Sequence, residues 1–110
     1  MCAISSALAA AIDRARPIEL LSALVRLPSH PGVPRQEEAV ARALAAYLEA
    51  HGLTPVLHEV SPGRPNLLCT LTAPRAGRHL LLCGHTDTVP LNRDEPGHGF
   101  SGEVRDGRVL

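Results

Sequence analysis

The chain has 110 residues, of which 45% are hydrophobic and 20% are charged, and its 11 basic and 11 acidic residues cancel. This length and composition predict one folded domain, or part of one, rather than disorder. Because the basic residues form no stripe, the sequence disfavours nucleic acid and anionic membranes as partners. The first residues have neither a basic start nor the length of a membrane span, so they are expected to begin a soluble helix.

The first half of the chain predicts helices. Apolar residues at three- and four-residue steps indicate one or two amphipathic helices, interrupted near Pro17; they are Leu8, Ile12, Ala15, Ile18, Leu21, Leu24 and Val25. Three prolines and a glycine between residues 28 and 34 predict a loop. A second helix is predicted over Glu37–His51, because an acidic pair suits its positive end and Gly52 stops it. Tyr47, on its apolar face, is expected in the core.

The second half predicts strands and a hairpin. Three short runs read as strands: Val56–Val60, Asn66–Leu71 and His79–Cys83. The first fits an edge or a half-exposed face, whereas the other two fit buried strands of a sheet covered on both sides. Residues 91–100 predict a loop, and Asp106-Gly107 is the signal of a type I′ hairpin. This order of elements predicts an α/β layered domain with a mixed sheet.

The three cysteines, Cys2, Cys69 and Cys83, form no CxxC pair and leave an odd count. Free thiols inside apolar strands behave as small hydrophobes, and a reducing cytoplasm is the expected compartment. Cys83 lies two residues before a histidine and is therefore a candidate ligand. A buried, inert cysteine in a strand is the commoner case.

Residues 80–90, Leu-Leu-Leu-Cys-Gly-His-Thr-Asp-Thr-Val-Pro, carry the main functional signal. Ligands of α/β proteins collect where the chain leaves the carboxyl end of a strand. Alternate residues of an extended segment point the same way, so His85 and Asp87 can address one site while Thr86 turns away. His85 is the candidate metal ligand, and Asp87 is the candidate catalytic-site residue that holds its other ring nitrogen. Taken alone, a His-x-Asp pair is more often part of a surface loop.

This motif resembles the first metal motif of the M20 family of dinuclear zinc metallopeptidases and deacylases, an apolar strand followed by Gly-His-x-Asp-x-Val-Pro. Residues 102–110 look like the hairpin that follows in that family, and the resemblance extends from about Ile18 onward. It implies that residues 1–110 are the N-terminal portion of a zinc-exopeptidase-like catalytic domain, with a mixed sheet and helices packed on it. The family's lid or dimerisation domain would be absent.

The resemblance also implies a reaction. His85 would bind one of two zinc ions, and Asp87 would orient the His85 ring. Co²⁺ could substitute for zinc. The substrate would be an N-acyl amino acid or a small peptide, cleaved at an amide bond. The family's bridging Asp follows the hairpin, where this chain ends, so the 110-residue chain alone is expected to be inactive. A homodimer would form through the second domain.

Two other functions are open. One is a non-catalytic product, either a truncated remnant or a binding module. The other is a Rossmann-type nucleotide binder, which is disfavoured because no Gly-x-Gly-x-x-Gly follows a predicted strand. Surface or capping roles are expected for the remaining histidines, His30, His51, His58, His79 and His98. His98 is the strongest further ligand candidate among them, because its loop would pass over the active-site mouth. That loop lacks the Trp of many M20 relatives, although Phe100 matches the end of their pattern.

Overall fold

The computed structural model describes residues 10–92 and 99–110. Cys2, Leu8 and His98, named above, lie outside the described residues. The chain divides into two units, Met1–Arg26 with Gly97–Leu110, and Leu27–Pro96. The described part of each unit contains a helix and a two-stranded antiparallel sheet, so the class is mixed α/β. None of the described helices is both long enough and apolar enough to cross a membrane.

Helix α1 of the first unit spans Ala15–Val25. The Asp13 carboxylate accepts a hydrogen bond from the Ala15 backbone N–H at 3.0 Å, which satisfies one of the amide groups left free at a helix start. Pro17 lies in the first turn, where the missing N–H costs no helical hydrogen bond. The predicted interruption near Pro17 is therefore the beginning of this helix.

The hairpin of the first unit pairs β3, Val104–Arg105, with β4, Arg108–Val109. Its two turn residues, Asp106 and Gly107, have φ angles of 51° and 73°. Positive φ at both central positions defines a type I′ turn, so the predicted hairpin is confirmed. The Ser22 hydroxyl of α1 donates a hydrogen bond to the Gly102 carbonyl just before the hairpin.

Helix α2 of the second unit spans Glu38–Ala50, within the predicted Glu37–His51. The Gly52 N–H donates to the Glu49 carbonyl at 2.9 Å, and the Leu53 N–H donates to the Leu48 carbonyl at 3.0 Å. These two bonds form a Schellman motif, which satisfies carbonyl groups of the last turn. The predicted stop at Gly52 is thus confirmed together with its mechanism.

Two strands follow α2 and form a hairpin: β1, Val56–Ser61, and β2, Arg64–Leu68. The register between them shifts after Glu59, and Gly63 closes the turn with a φ of 77°. The Gly63 N–H donates to the Glu59 carboxylate at 2.8 Å. A side chain at Gly63 would also collide with Arg35, whose Cα would lie 2.6 Å from the added Cβ. Only glycine fits this turn without strain.

Helix α2 packs against both β1 and β2. The buried residues of the described chain include Val40 and Ala41 on this helix, at 5% and 1% exposure. The predicted packing of a helix on a sheet is present in this unit. The predicted buried strand over Asn66–Leu71 is wrong in extent and in burial, because β2 ends at Leu68 and that residue is 51% exposed.

The predicted strand over His79–Cys83 is also wrong. These residues are irregular, and Leu80, Leu81 and Leu82 are 83%, 81% and 84% exposed. Cys83 is an exposed free thiol rather than a buried one. A strand needs a neighbour to accept and donate its ladder hydrogen bonds. Among the described residues both sheets are two-stranded and antiparallel, and neither pairs with this run, so one mixed sheet is not formed.

Candidate functional site

His85 and Asp87 lie side by side, as their spacing predicts. The distance from His85 Nδ1 to the Asp87 carboxylate Oδ1 is 3.1 Å, and that to the Asp87 backbone carbonyl is 2.9 Å. Both side chains face solvent, with 83% and 53% of their areas exposed. The two residues therefore share one site even though no strand precedes them.

The contacts of His85 determine which of its ring nitrogens is open to a ligand. Both partners of Nδ1 are oxygen atoms that only accept hydrogen bonds, so Nδ1 carries the proton and donates it to them. In a neutral imidazole the lone pair then resides on Nε2. This is the arrangement in which a carboxylate orients a metal-binding histidine. The donor chemistry of His85 therefore fits a zinc ion at Nε2.

The His85–Asp87 pair lines a cleft of about 910 Å³ in the second unit. The cleft also includes Arg64 and Asn66 of β2 and His58 of β1. Its apolar wall includes exposed leucines of the run before the motif. The cleft is open to solvent on this side, because Leu81 and Leu82 are more than 80% exposed.

An ion pair between Arg64 and Glu37 forms part of this cleft. Arg64 Nη2 lies 2.6 Å from Glu37 Oε1, and Arg64 Nε lies 2.9 Å from Oε2. The Glu37 side chain is 7% exposed, whereas that of Arg64 is 50% exposed. The hydrogen bond from Arg64 lowers the pKa of Glu37. That same bond raises the pKa of Arg64, and the charges of Glu37 and Asp87 add to the effect.

Sequence reasoning assigned no site role to Arg64 or Glu37. The acidic pair at the start of α2 was a visible helix signal, but nothing in the sequence links residue 37 to residue 64. Their contact arises because the β1–β2 hairpin folds back onto the first turn of α2. A bidentate contact of this kind holds the guanidinium in one orientation beside the cleft.

Sequence reasoning also assigned no site role to Ser29. It lies in the predicted loop between residues 28 and 34, and its side chain is 1% exposed. Its hydroxyl donates a hydrogen bond to the backbone carbonyl of Thr86 at 2.7 Å. Its Oγ also lies 3.4 Å from Oγ1 of Thr88. The polar loop therefore contacts the motif directly.

Apart from His58, which lines the cleft, the other described histidines have local contacts or are exposed. His51 Nδ1 donates to the Tyr47 carbonyl at 2.7 Å at the end of α2, and Tyr47 is half-buried beside it rather than in the core. His30 Nδ1 lies 2.8 Å from the Pro31 carbonyl, and His79 is exposed. Within residues 10–92 and 99–110, no three His, Cys, Asp or Glu side chains cluster to hold a metal ion.

Comparison with known proteins identifies relatives of this chain. It is 38% identical over 96 residues to a succinyl-diaminopimelate desuccinylase from Granulibacter bethesdensis, a match covering 86% of this chain and 24% of that protein. It is 40% identical over 81 residues to an acetylornithine deacetylase from Proteus mirabilis, covering 68% of this chain and 20% of that protein. An acetylornithine deacetylase from Photorhabdus laumondii is 37% identical over 81 residues.

The desuccinylase match covers 86% of the 110 residues, so it includes residues 80–90 wherever it begins. The acetylornithine deacetylases and the succinyl-diaminopimelate desuccinylase are members of the M20 family, which the motif resembles. The predicted resemblance is therefore confirmed, and it includes the segment that carries His85 and Asp87. No family model matches the chain, and no solved structure matches it. The chain spans 20% to 24% of the length of these curated relatives.

Proposed function

We propose that the protein carrying this sequence is a metal-dependent hydrolase that cleaves the amide bond of N-acyl amino acids or small peptides. The observation that supports it most directly is the bonding of His85 Nδ1 to Asp87, which leaves Nε2 for a metal. The relatives support the reaction class, because their names describe removal of acetyl and succinyl groups. Turnover of N-acetyl and N-succinyl amino acids tests which acyl group the protein prefers.

The residues of this chain have distinct parts in the proposal. His85 would hold zinc, or cobalt in its place, and Asp87 would keep the imidazole in the required tautomer and orientation. Zinc bound at His85 would lower the pKa of a water molecule and polarise the carbonyl group of the substrate. Since a catalytic zinc site takes about three protein ligands, residues beyond the described ones would complete the set. The second zinc, the cytoplasmic location and a homodimer belong to the same proposal.

The test compares variants of the full-length protein with the metal-loaded wild type. His85→Ala should lose one metal equivalent and most of the activity on N-acetyl and N-succinyl amino acids, because it removes a ligand. Asp87→Ala should lose activity or metal affinity by roughly 10- to 100-fold, the usual effect of removing a group that orients a ligand. Metal content is measured by atomic emission, and turnover by amine release.

His79→Ala is the matched control. It removes an exposed imidazole six positions before His85 and should retain both metal and turnover. If His85→Ala kept the wild-type metal content and activity, the ligand assignment would be wrong. If the wild-type protein showed no metal-dependent hydrolysis of any N-acyl amino acid or peptide, the non-catalytic binding module would replace the enzyme.

A further inference from the structure

Ser29 is anchored to the segment that carries the candidate site. In the described stretch 70–92, Thr86 is half-buried while every other residue is exposed. The Thr86 carbonyl accepts the 2.7 Å hydrogen bond of the Ser29 hydroxyl, from a loop 57 positions earlier in the chain. The hydrogen bond therefore joins the residue between His85 and Asp87 to a buried residue, Ser29.

The position of this attachment matters for the two site residues. Thr86 is the single residue between His85 and Asp87, so its peptide sets their relative placement. His85 Nδ1 bonds both to the Asp87 carboxylate and to the Asp87 backbone carbonyl. Both contacts require the backbone between residues 85 and 87 to keep one conformation. The exposed flanks of the motif offer little packing that would maintain it.

We propose that Ser29 is a positioning residue, whose buried hydroxyl fixes the Thr86 peptide and thereby holds His85 and Asp87 in their metal-binding arrangement. The metal part of this inference rests on the proposed function, whereas the effect on the His85–Asp87 contact does not. Thr88 has a smaller part, because an oxygen–oxygen separation of 3.4 Å is long for a hydroxyl hydrogen bond.

The experiment removes the hydroxyl and reads the motif directly. In full-length protein, Ser29→Ala should weaken zinc binding by roughly 10- to 100-fold, as expected when a metal ligand loses its support. It should lower kcat more than KM. In metal-free protein labelled with ¹⁵N-histidine, the ring ¹⁵N resonances of His85 should move towards the average of the two tautomers, because the tautomer is no longer held. Thr88→Val should change zinc affinity much less.

Ser22→Ala is the matched control. It also removes a serine hydroxyl that donates to a distant backbone carbonyl, that of Gly102, but in the first unit. It should affect thermal stability without changing zinc affinity or the His85 resonance. Ser29→Thr keeps the hydroxyl donor and should retain the wild-type zinc affinity and His85 resonance. A loss in Ser29→Ala is then due to the missing hydroxyl rather than to misfolding.

Three results would overturn the inference: wild-type zinc affinity and His85 resonance in Ser29→Ala, an equal loss of zinc affinity in Ser22→Ala, or an equal loss in Thr88→Val. Failure of the proposed function is a separate result. If the wild-type protein hydrolysed no N-acyl amino acid, that function would fail, while the His85 resonance would still decide the part played by Ser29.

Discussion

The Glu37–Arg64 pair makes a sharp prediction about stability and its dependence on pH. Glu37→Gln keeps the shape of the side chain but removes its charge. The carboxylate accepts hydrogen bonds from both Nε and Nη2 of the Arg64 guanidinium, and the Glu37 side chain is 7% exposed. Hydrogen bonds to charged groups contribute roughly 1.5–3 kcal/mol. Because water screens the half-exposed Arg64, we expect a loss of about 2 kcal/mol in the free energy of unfolding at neutral pH.

The pH dependence follows from the lowered pKa of Glu37, whose ordinary value is 4.5. A carboxyl group with a lower pKa in the folded state stabilises the fold fully above its unfolded pKa. That contribution is lost as pH falls from about 4.5 through the folded pKa. The wild-type protein should therefore lose this stability on acidification, whereas Glu37→Gln lacks it at every pH. The difference between the two should shrink towards zero in acid.

Urea unfolding of the full-length protein, followed by circular dichroism at neutral pH and at several acidic pH values, measures this difference. Glu49→Gln is the control, because it removes an exposed carboxylate from the same helix. Its effect should be within about 0.5 kcal/mol of zero. If Glu37→Gln cost no more than the control, or if its cost stayed constant on acidification, the ion pair would not stabilise the fold as argued.

Two further predictions concern the turns and the 110-residue chain. Gly107 has a φ of 73° and open space around it, so Gly107→Ala should cost about 1–2 kcal/mol of unfolding free energy. Gly63 has a φ of 77° and lies against Arg35, so Gly63→Ala should cost clearly more in the same unfolding assay. Equal costs for the two variants would contradict the steric argument. The 110-residue chain alone should bind zinc weakly by calorimetry, hydrolyse no N-acyl amino acid and aggregate through its exposed leucines. Leu81→Lys should then reduce light scattering; sub-micromolar zinc binding with turnover would contradict the first part.

The elements that the sequence predicts correctly have their signals within a few residues. Helix α2 has an acidic start and a glycine stop, and the type I′ hairpin has Asp106-Gly107 at its turn. The sequence predicts strand β1 over Val56–Val60, and the strand spans Val56–Ser61. In each case the stabilising hydrogen bonds join residues close together in the chain, so a short window contains the physical cause.

The run His79–Cys83 shows the limit of such windows. Its apolar composition is that of a buried strand, but burial and pairing depend on residues elsewhere in the chain. Both described sheets are formed by local hairpins, and no described strand pairs with this run. Its leucines keep more than four-fifths of their surface in water. An apolar pattern therefore predicts where a strand would be favourable, whereas its partners decide whether the strand forms.

In the candidate site too, contacts between near neighbours could be predicted, whereas contacts between distant residues could not. His85 and Asp87 are two residues apart, so their contact could be predicted from the sequence. Contacts between distant parts of the chain bring three further residues to the same region, and no local pattern predicts them; they are Ser29, Glu37 and Arg64. His85, the proposed ligand, has 83% of its side chain exposed and therefore little packing of its own to fix it. Among the described residues, the buried Ser29 donates a hydrogen bond to the backbone of the motif, so we expect it to contribute to the precision of the proposed site.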